Sequence, residues 1–347
     1  MKGEIAVELI QILETAVNAV FPVVLLTLLG YVLKLAGFLT PEFIRVGSKL
    51  SFRVLMPCML FVNVYTIESF SWIQWDVVIY CVVTLLVIFV LGYFSAAAAT
   101  PIPERRGVIL QASFRSNTAI VGLSLASVLG GPEAVAVAAI VAAFSLPVMN
   151  ILAVISLTVF LGGKADSRQW KSILRSIATN PIILGIVAGM ACLLVRGLEV
   201  RCFGRVVFAL DKQLKFLYTA VSNVKSMASP FALLVLGAQF DFSASRGMLK
   251  EILVGTSWRV VFAPLIGICT AIVLSEFTPL VNFDVNTYPA LVALFGTPTA
   301  VSSAIMAGQM NNDEQLATQL VVWSSLCSVP GMFLTICLLI AGGFLAI

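Results

Sequence analysis

Arg115-Ser116-Asn117-Thr118 interrupt an apolar stretch running from Gly107 to Gly131. Far down the chain Thr297-Pro298-Thr299, with Ser302 and Ser303 just after, interrupt another. Polar groups at such depth are costly in hydrocarbon and normally face a bundle interior or a water-filled cavity. Pro298 lacks a backbone N–H, so a helix breaks there and a new half-helix is expected near Thr299. The earlier stretch is expected to break at Ser116 to Thr118 and restart at about Ala119. Each restart would aim unsatisfied N–H groups and partial positive charge at the midplane. Two such termini facing one cavity form an anion site. The alternative is that Asn117 and Pro298 mark ordinary kinks bonded within the bundle.

The charges around these breaks are cationic. Arg115, next to the first break, is either a counter-charge for a substrate or a residue snorkelling to the inner surface. Arg259 and Lys225 lie within other apolar stretches, where snorkelling or bonding to carbonyls accounts for them. All 17 acidic residues fall outside the expected span interiors. An anionic substrate would supply the missing balance. Asn150, one turn after Pro147, is placed to face the first break; Asn63, Asn223, Gln239 and Gln309 read as interhelical hydrogen-bonding residues. The candidate substrate site is therefore Arg115, Ser116, Asn117, Thr118, Asn150, Thr297, Pro298, Thr299 and Ser302.

Composition sets the surroundings. Of 347 residues 60% are hydrophobic and 11% charged, with a mean hydropathy of +1.05. Soluble chains carry about 25% charged residues, so this one belongs in lipid. A scattered net charge of +4 does not suggest nucleic acid. The chain has no histidine, which removes histidine-ligated zinc, serine–histidine chemistry and histidine proton relays. Its seven cysteines form no paired CxxC motif and read as small apolar packing residues. Neither a cofactor nor a metal site is expected. Glu4, Glu8 and Glu14 precede the first apolar run, a poor signal-peptide pattern, so that run is read as a retained span.

Apolar runs of spanning length recur about ten times. They lie near 16–37, 47–66, 76–99, 107–130, 133–161, 180–196, 217–239, 249–275, 287–309 and 316–346. The fold class is an all-α polytopic membrane protein. Basic residues concentrate in the odd-numbered loops: Arg45 and Lys49; Arg105 and Arg106; Lys164, Arg168, Lys171 and Arg175; Arg246 and Lys250. Glu68, Glu133, Glu276 and Asp284 mark the loops after spans 2, 4 and 8. This puts both termini outside. Residues 196–215 object, because Arg196, Arg201, Arg205, Lys212 and Lys215 fall on the outer side. Val206, Val207, Leu210 and Leu214 suggest that this connection is an amphipathic helix lying in the interface.

The chain also repeats. Ser145-Leu146-Pro147-Val148-Met149 resembles Ser328-Val329-Pro330-Gly331-Met332, and Ser116-Asn117-Thr118-Ala119 sits like Thr297-Pro298-Thr299-Ala300. Pro22 and Pro181 mark spans 1 and 6, and Pro57 and Pro230 mark spans 2 and 7. A five-helix unit repeated once must enter the membrane upside down, which makes an inverted repeat with broken crossover helices 4 and 9. The expected units are 1–162, a cytoplasmic connection at 163–179, and 180–347.

Phe21-Pro22 to Gly30-Tyr31, Gly37-Phe38-Leu39-Thr40 and Leu55-Met56-Pro57-Cys58 together resemble the auxin efflux carrier family. So do Arg115-Ser116-Asn117 with Gly122, Asn180-Pro181, Ser229-Pro230 to Leu236-Gly237, and Thr297-Pro298-Thr299-Ala300 with Ala307-Gly308-Gln309. The resemblance covers nearly the whole chain. It implies the fold of the plant PIN-FORMED carriers and bacterial malate or malonate permeases, similar to that of bile acid–sodium symporters. In that fold spans 1, 2, 6 and 7 form a scaffold, and spans 3–5 and 8–10 a transport domain that moves like an elevator. The resemblance further implies organic anion substrates, a site where spans 4 and 9 cross at Asn117 and Pro298, and a homodimer. Ser124 departs from the family pattern, which often has proline after Gly122-Leu123.

The function expected is a secondary transporter of small organic anions, auxin-like carboxylates or dicarboxylates such as malate and malonate. With no carboxylate or histidine deep in a span, the simplest energetics is efflux driven by the membrane potential across a plasma (inner) membrane. The alternatives are a sodium- or proton-coupled symporter on the same fold and a transporter-like sensor. An enzyme is not expected: the sequence has no nucleophile–base pair, aspartate-rich metal motif or paired intramembrane aspartates. The partners expected are the anion and membrane lipid.

Overall fold

Among the described residues, three of the helices start at a polar residue whose side chain caps them: Thr40, Asn180 and Asp313. A computed structural model describes residues 21–345 apart from 23, 67–73, 162–174, 176–177, 242 and 279–282. Glu4, Glu8, Glu14, Glu68, Lys164, Arg168, Lys171 and most of the expected connection at 163–179 therefore lie outside the described residues. Helix α1 covers Val24–Leu35. The Thr40 side chain accepts from the Phe43 N–H and Pro41 occupies the first turn, so α2 (Pro41–Leu50) begins earlier than expected. It runs through a wide π turn, Ser51–Leu55, into α3 (Met56–Tyr65).

Next come α4 (Trp75–Ala99) and α5 (Pro103–Phe114). After a break, α6 (Leu123–Val159) folds sharply at Gly130 and at Gly131, whose φ of 63° suits glycine. Its first turns complete the fourth apolar stretch and the remainder forms the fifth. Asn180 caps α7 (Pro181–Phe203) through the Ile182 N–H at 2.9 Å. Then follow the single turn α8 (Leu210–Gln213), α9 (Lys215–Gln239), and α10 (Leu249–Ser257). Two π turns join α10 to α11 (Thr270–Phe277). The chain ends in α12 (Thr287–Leu291), α13 (Ser302–Gln309) and α14 (Glu314–Ala341), the last capped by Asp313.

Among the described residues there is no strand, and six helices are long and apolar enough to cross a membrane. They are 75–99, 125–159, 181–203, 215–239, 245–277 and 314–341. Their outward faces are apolar: Phe94, Leu194 and Leu334 are each at least 60% exposed. That is the surface of a bundle solvated by lipid. Between such helices lipid removes the hydrophobic drive, and close backbone packing replaces it. A Cβ on Gly185 would lie 2.5 Å from the Pro57 carbonyl oxygen, so glycine is what allows α7 to seat against α3.

Polar contacts sort the helix ends. Arg105 pairs with Glu251 at 3.0 Å and Asp313 at 2.9 Å, joining the starts of α5, α10 and α14. Lys34 donates to the Phe240 carbonyl at 3.0 Å, and Asn312 to that of Leu157 at 2.8 Å. At the end of α3, Tyr65 donates to Asp211 at 2.5 Å and its carbonyl accepts from Arg196 at 2.9 Å.

The expected amphipathic helix at 196–215 does not form. Helix α7 continues to Phe203 and stops at Gly204 in the left-handed conformation (φ 68°). Val206 to Phe208 are exposed irregular backbone, with the Val207 and Phe208 N–H groups held by Glu199. The local apolar pattern was real, but a glycine stop and the Glu199 cap outweigh it.

Candidate functional site

Both polar stretches break their helices, and they break against each other. Arg115 (ψ 96°) and Asn117 (ψ 46°) leave the helical region, as does Thr297 (ψ 156°). The Asn117 N–H donates to the Pro298 carbonyl at 2.8 Å, and the Ala300 N–H to the Arg115 carbonyl at 3.1 Å. Ser116 and Thr299 thus form an isolated antiparallel bridge. Each extended segment satisfies backbone groups that the other's break set free, which is what permits non-helical backbone at this depth. Asn117 and Pro298 are therefore not simple kinks.

The restarts differ slightly from expectation. The first second-half begins with a π turn at Thr118–Gly122, one residue before Ala119. The other begins at Ser302 rather than near Thr299, because the Thr299 N–H goes to Ser324 Oγ at 3.1 Å and that of Ala300 across the bridge. Neither restart has a side-chain cap; in the second the Ser303 and Ala304 N–H groups donate to the Ala300 and Val301 carbonyls at 2.9 and 3.3 Å, so the positive dipole end rather than free N–H groups is left to the surroundings.

Beside the crossing lies a cavity of about 60 Å³. At about 10–15 Å³ per water centre, that is space for a few waters or the head of a small solute. Arg115, Ser116, Asn117, Asn150 and Ser302 line one side. Met56, Met59 and Leu60 of α3, Ile182 of α7, and Ala228, Ser229 and Ala232 of α9 line the other. Of the nine predicted residues, five reach the cavity. Thr118, Thr297, Pro298 and Thr299 are buried in the crossing behind it. Thr297 Oγ1 bonds back to the Ala293 carbonyl at 3.0 Å, and Thr118 Oγ1 meets Ser116 Oγ at 2.7 Å.

Arg115 does not snorkel. It is 4% exposed, and its guanidinium donates to Asn150 Oδ1 at 2.8 Å and to Met306 Sδ at 2.6 Å. Asn150 is held in turn by its own Nδ2, which donates to the Leu146 carbonyl at 2.7 Å, one turn back on the same helix. Arg259 is fully buried and bonds the Leu294 and Phe295 carbonyls, where the π turn Val292–Gly296 ends and a cation complements the C-terminal dipole. Sequence reasoning missed Gln111. With its amide oxygen turned toward Arg115 it accepts from Nη1 at 2.8 Å and donates to the Ser303 carbonyl at 3.3 Å. Its place four residues before Arg115, on the same helix face, was the available signal.

Several buried polar atoms at the crossing have no partner: Asn117 Nδ2, Thr299 Oγ1, Ser303 Oγ and Thr318 Oγ1. The first belongs to a residue lining the cavity. Among the described residues Arg115 has no carboxylate partner, and no group of acidic, cysteine or histidine side chains could hold a metal ion. The remaining polar residues serve helix contacts: Gln239 donates to Glu314 at 2.6 Å and Gln309 to Ser48 at 3.5 Å.

A family model described as "Membrane transport protein" matches residues 15–336. A protein of Methanocaldococcus jannaschii described as an uncharacterized transporter is 24% identical over 296 residues, which cover 83% of this chain and 87% of that one.

Proposed function

The chain belongs to the membrane transport protein family of auxin efflux carrier-like proteins, and we propose that it carries small organic anions across the membrane through the cavity at the crossing. As a member of a transporter family with several spanning-length helices, it is an integral multi-pass membrane protein. The observation that carries the reading is the buried Arg115 guanidinium. It lines the cavity with only neutral acceptors around it, next to the unpartnered Asn117 amide. Leaving such a charge without a counter-ion is costly by several kcal/mol. A carboxylate entering the cavity would meet the guanidinium, the Asn117 donor and the uncapped helix starts.

The proposed architecture is ten spans in two inverted five-helix repeats, with the crossing as the pseudo-symmetric centre. In support, the halves supply matching breaks that bond to one another. The proposed motion is an elevator in which spans 3–5 and 8–10 carry Arg115 and Asn117 past a scaffold of spans 1, 2, 6 and 7. In its favour, the cavity lies between residues of those two sets, with apolar methionine and alanine walls on the scaffold side. Efflux across the plasma (inner) membrane would be driven by the potential, worth about 2.3 kcal/mol per charge per 100 mV. Both termini would lie outside, and the working unit would be a homodimer.

A second reading is a sodium-coupled carrier. It is favoured by the buried hydroxyls of Thr299, Ser303 and Thr318, three oxygens without partners at the crossing. Flux in proteoliposomes separates the two. Radiolabelled malate, malonate and indole-3-acetate would be offered with an imposed potential, with and without a sodium gradient. Potential-driven flux without sodium, lost in Asn117→Ala, is the expected result. Flux only with inward sodium selects the second reading, and specific binding without flux would make the protein a sensor.

A further inference from the structure

The chain partners its half-buried Arg105 and its buried Arg115 differently. Arg105, near a helix end, has two carboxylates, Glu251 and Asp313. Arg115 has Asn150 Oδ1, Gln111 Oε1 and Met306 Sδ, all neutral. These acceptors fix the guanidinium's orientation without cancelling its charge. Gln111 is fully buried and does not line the cavity, so it cannot be a direct ligand. It spans from Arg115 of the first break to the Ser303 carbonyl of the second restart. A glutamate there would have the same shape and reach but no donor for the Ser303 carbonyl, and it would close an ion pair with Arg115 that competes with an incoming carboxylate.

We infer that Gln111 is a positioning residue whose neutral amide oxygen holds the Arg115 guanidinium at the cavity while keeping its positive charge free for the substrate's carboxylate. The inference rests on the anion-transport reading and adds a residue and a charge rule to it. Two consequences follow. A second cation-binding acceptor with a negative charge at this point would act as an internal competitor of the substrate. An acceptor that is merely weaker would loosen the guanidinium but leave its charge available.

The test uses the full chain in proteoliposomes with radiolabelled malate, malonate and indole-3-acetate, comparing native protein, Gln111→Glu and Gln111→Met. For whichever anion the native chain moves, Gln111→Glu is expected to raise KM about tenfold or more, with an unfolding temperature no lower than that of Gln111→Met, because both variants lose the bond to the Ser303 carbonyl and only glutamate gains an ion pair. Gln111→Met, similar in size and a weak acceptor, is expected to raise KM only about two- to fivefold. A native KM in Gln111→Glu overturns the inference alone. So does an equal loss of maximal rate in both variants with a lowered unfolding temperature, the mark of a purely structural residue. A native chain that moves none of the three anions overturns the transport reading and this inference with it.

Discussion

The backbone N–H of Asn117 donates to the carbonyl of Pro298 at 2.8 Å, although the two lie 181 positions apart in the chain (298 minus 117). With the return bond from Ala300 to Arg115, this closes a two-residue antiparallel contact inside an otherwise helical bundle. Neither break could exist alone in hydrocarbon, since each would leave N–H and C=O groups unsatisfied at several kcal/mol apiece. The crossing is thus a mutual device, and both partners should be sensitive to substitution.

Pro298→Ala tests that mutuality. Alanine restores an N–H and lets the helix ending at Gly296 continue, which competes with the extended segment that receives Asn117. Anion flux is expected to fall about tenfold, with the protein still purifying as a folded species by size-exclusion chromatography. Unchanged flux would show that bridge geometry is maintained without proline.

Arg115 separates charge from geometry. Arg115→Ala removes the cavity's cation and is expected to lower flux at least about a hundredfold, while Arg115→Lys keeps the charge but loses the fork to Asn150 and Met306 and is expected to lose about tenfold. Initial rates at equal reconstituted protein decide it. Equal losses in both variants would mean that the fork matters rather than the charge.

Gly185→Val tests the close packing of α7 on α3. Its Cβ would lie 2.5 Å from the Pro57 carbonyl oxygen, so backbone must shift, at about 1–3 kcal/mol of overpacking. The expected outcome is an unfolding temperature in detergent several degrees below native. A retained temperature would mean that the two helices can separate at little cost.

Acid should loosen the contact between the end of α3 and α8 through Asp211. The Tyr65 hydroxyl, donating at 2.5 Å, holds the Asp211 carboxyl below its ordinary range. A folded pKa below the unfolded one gives stability that is fully present above the unfolded value, about 3.9, and lost as pH falls through the folded value. Because Asp211 is largely open to solvent, the effect is small. Unfolding temperatures measured from about pH 6 down to about pH 3 should decline more steeply in native protein than in Tyr65→Phe. Parallel declines would remove Asp211 as the source.

The sequence by itself determined the class of this protein and the depth of its unusual residues. Continuous apolar stretches of spanning length, the proline at 298 and the polar run at 115–118 depend on local composition, and local composition is what sets a helix's solvent and its breaks. The family motifs are equally local, and they agree with the family match. What only the tertiary structure decided is where the freed groups go. No local pattern states that Asn117 bonds Pro298, that Thr299 gives its N–H to Ser324, or that Arg115 meets Asn150, Gln111 and Met306 instead of the lipid interface. These are contacts between stretches far apart in the chain, and their partners exist only once the helices cross. The fate of residues 196–215 has a local cause instead: an amphipathic pattern permits a helix, but Gly204 in the left-handed conformation and the Glu199 carboxylate direct the backbone elsewhere.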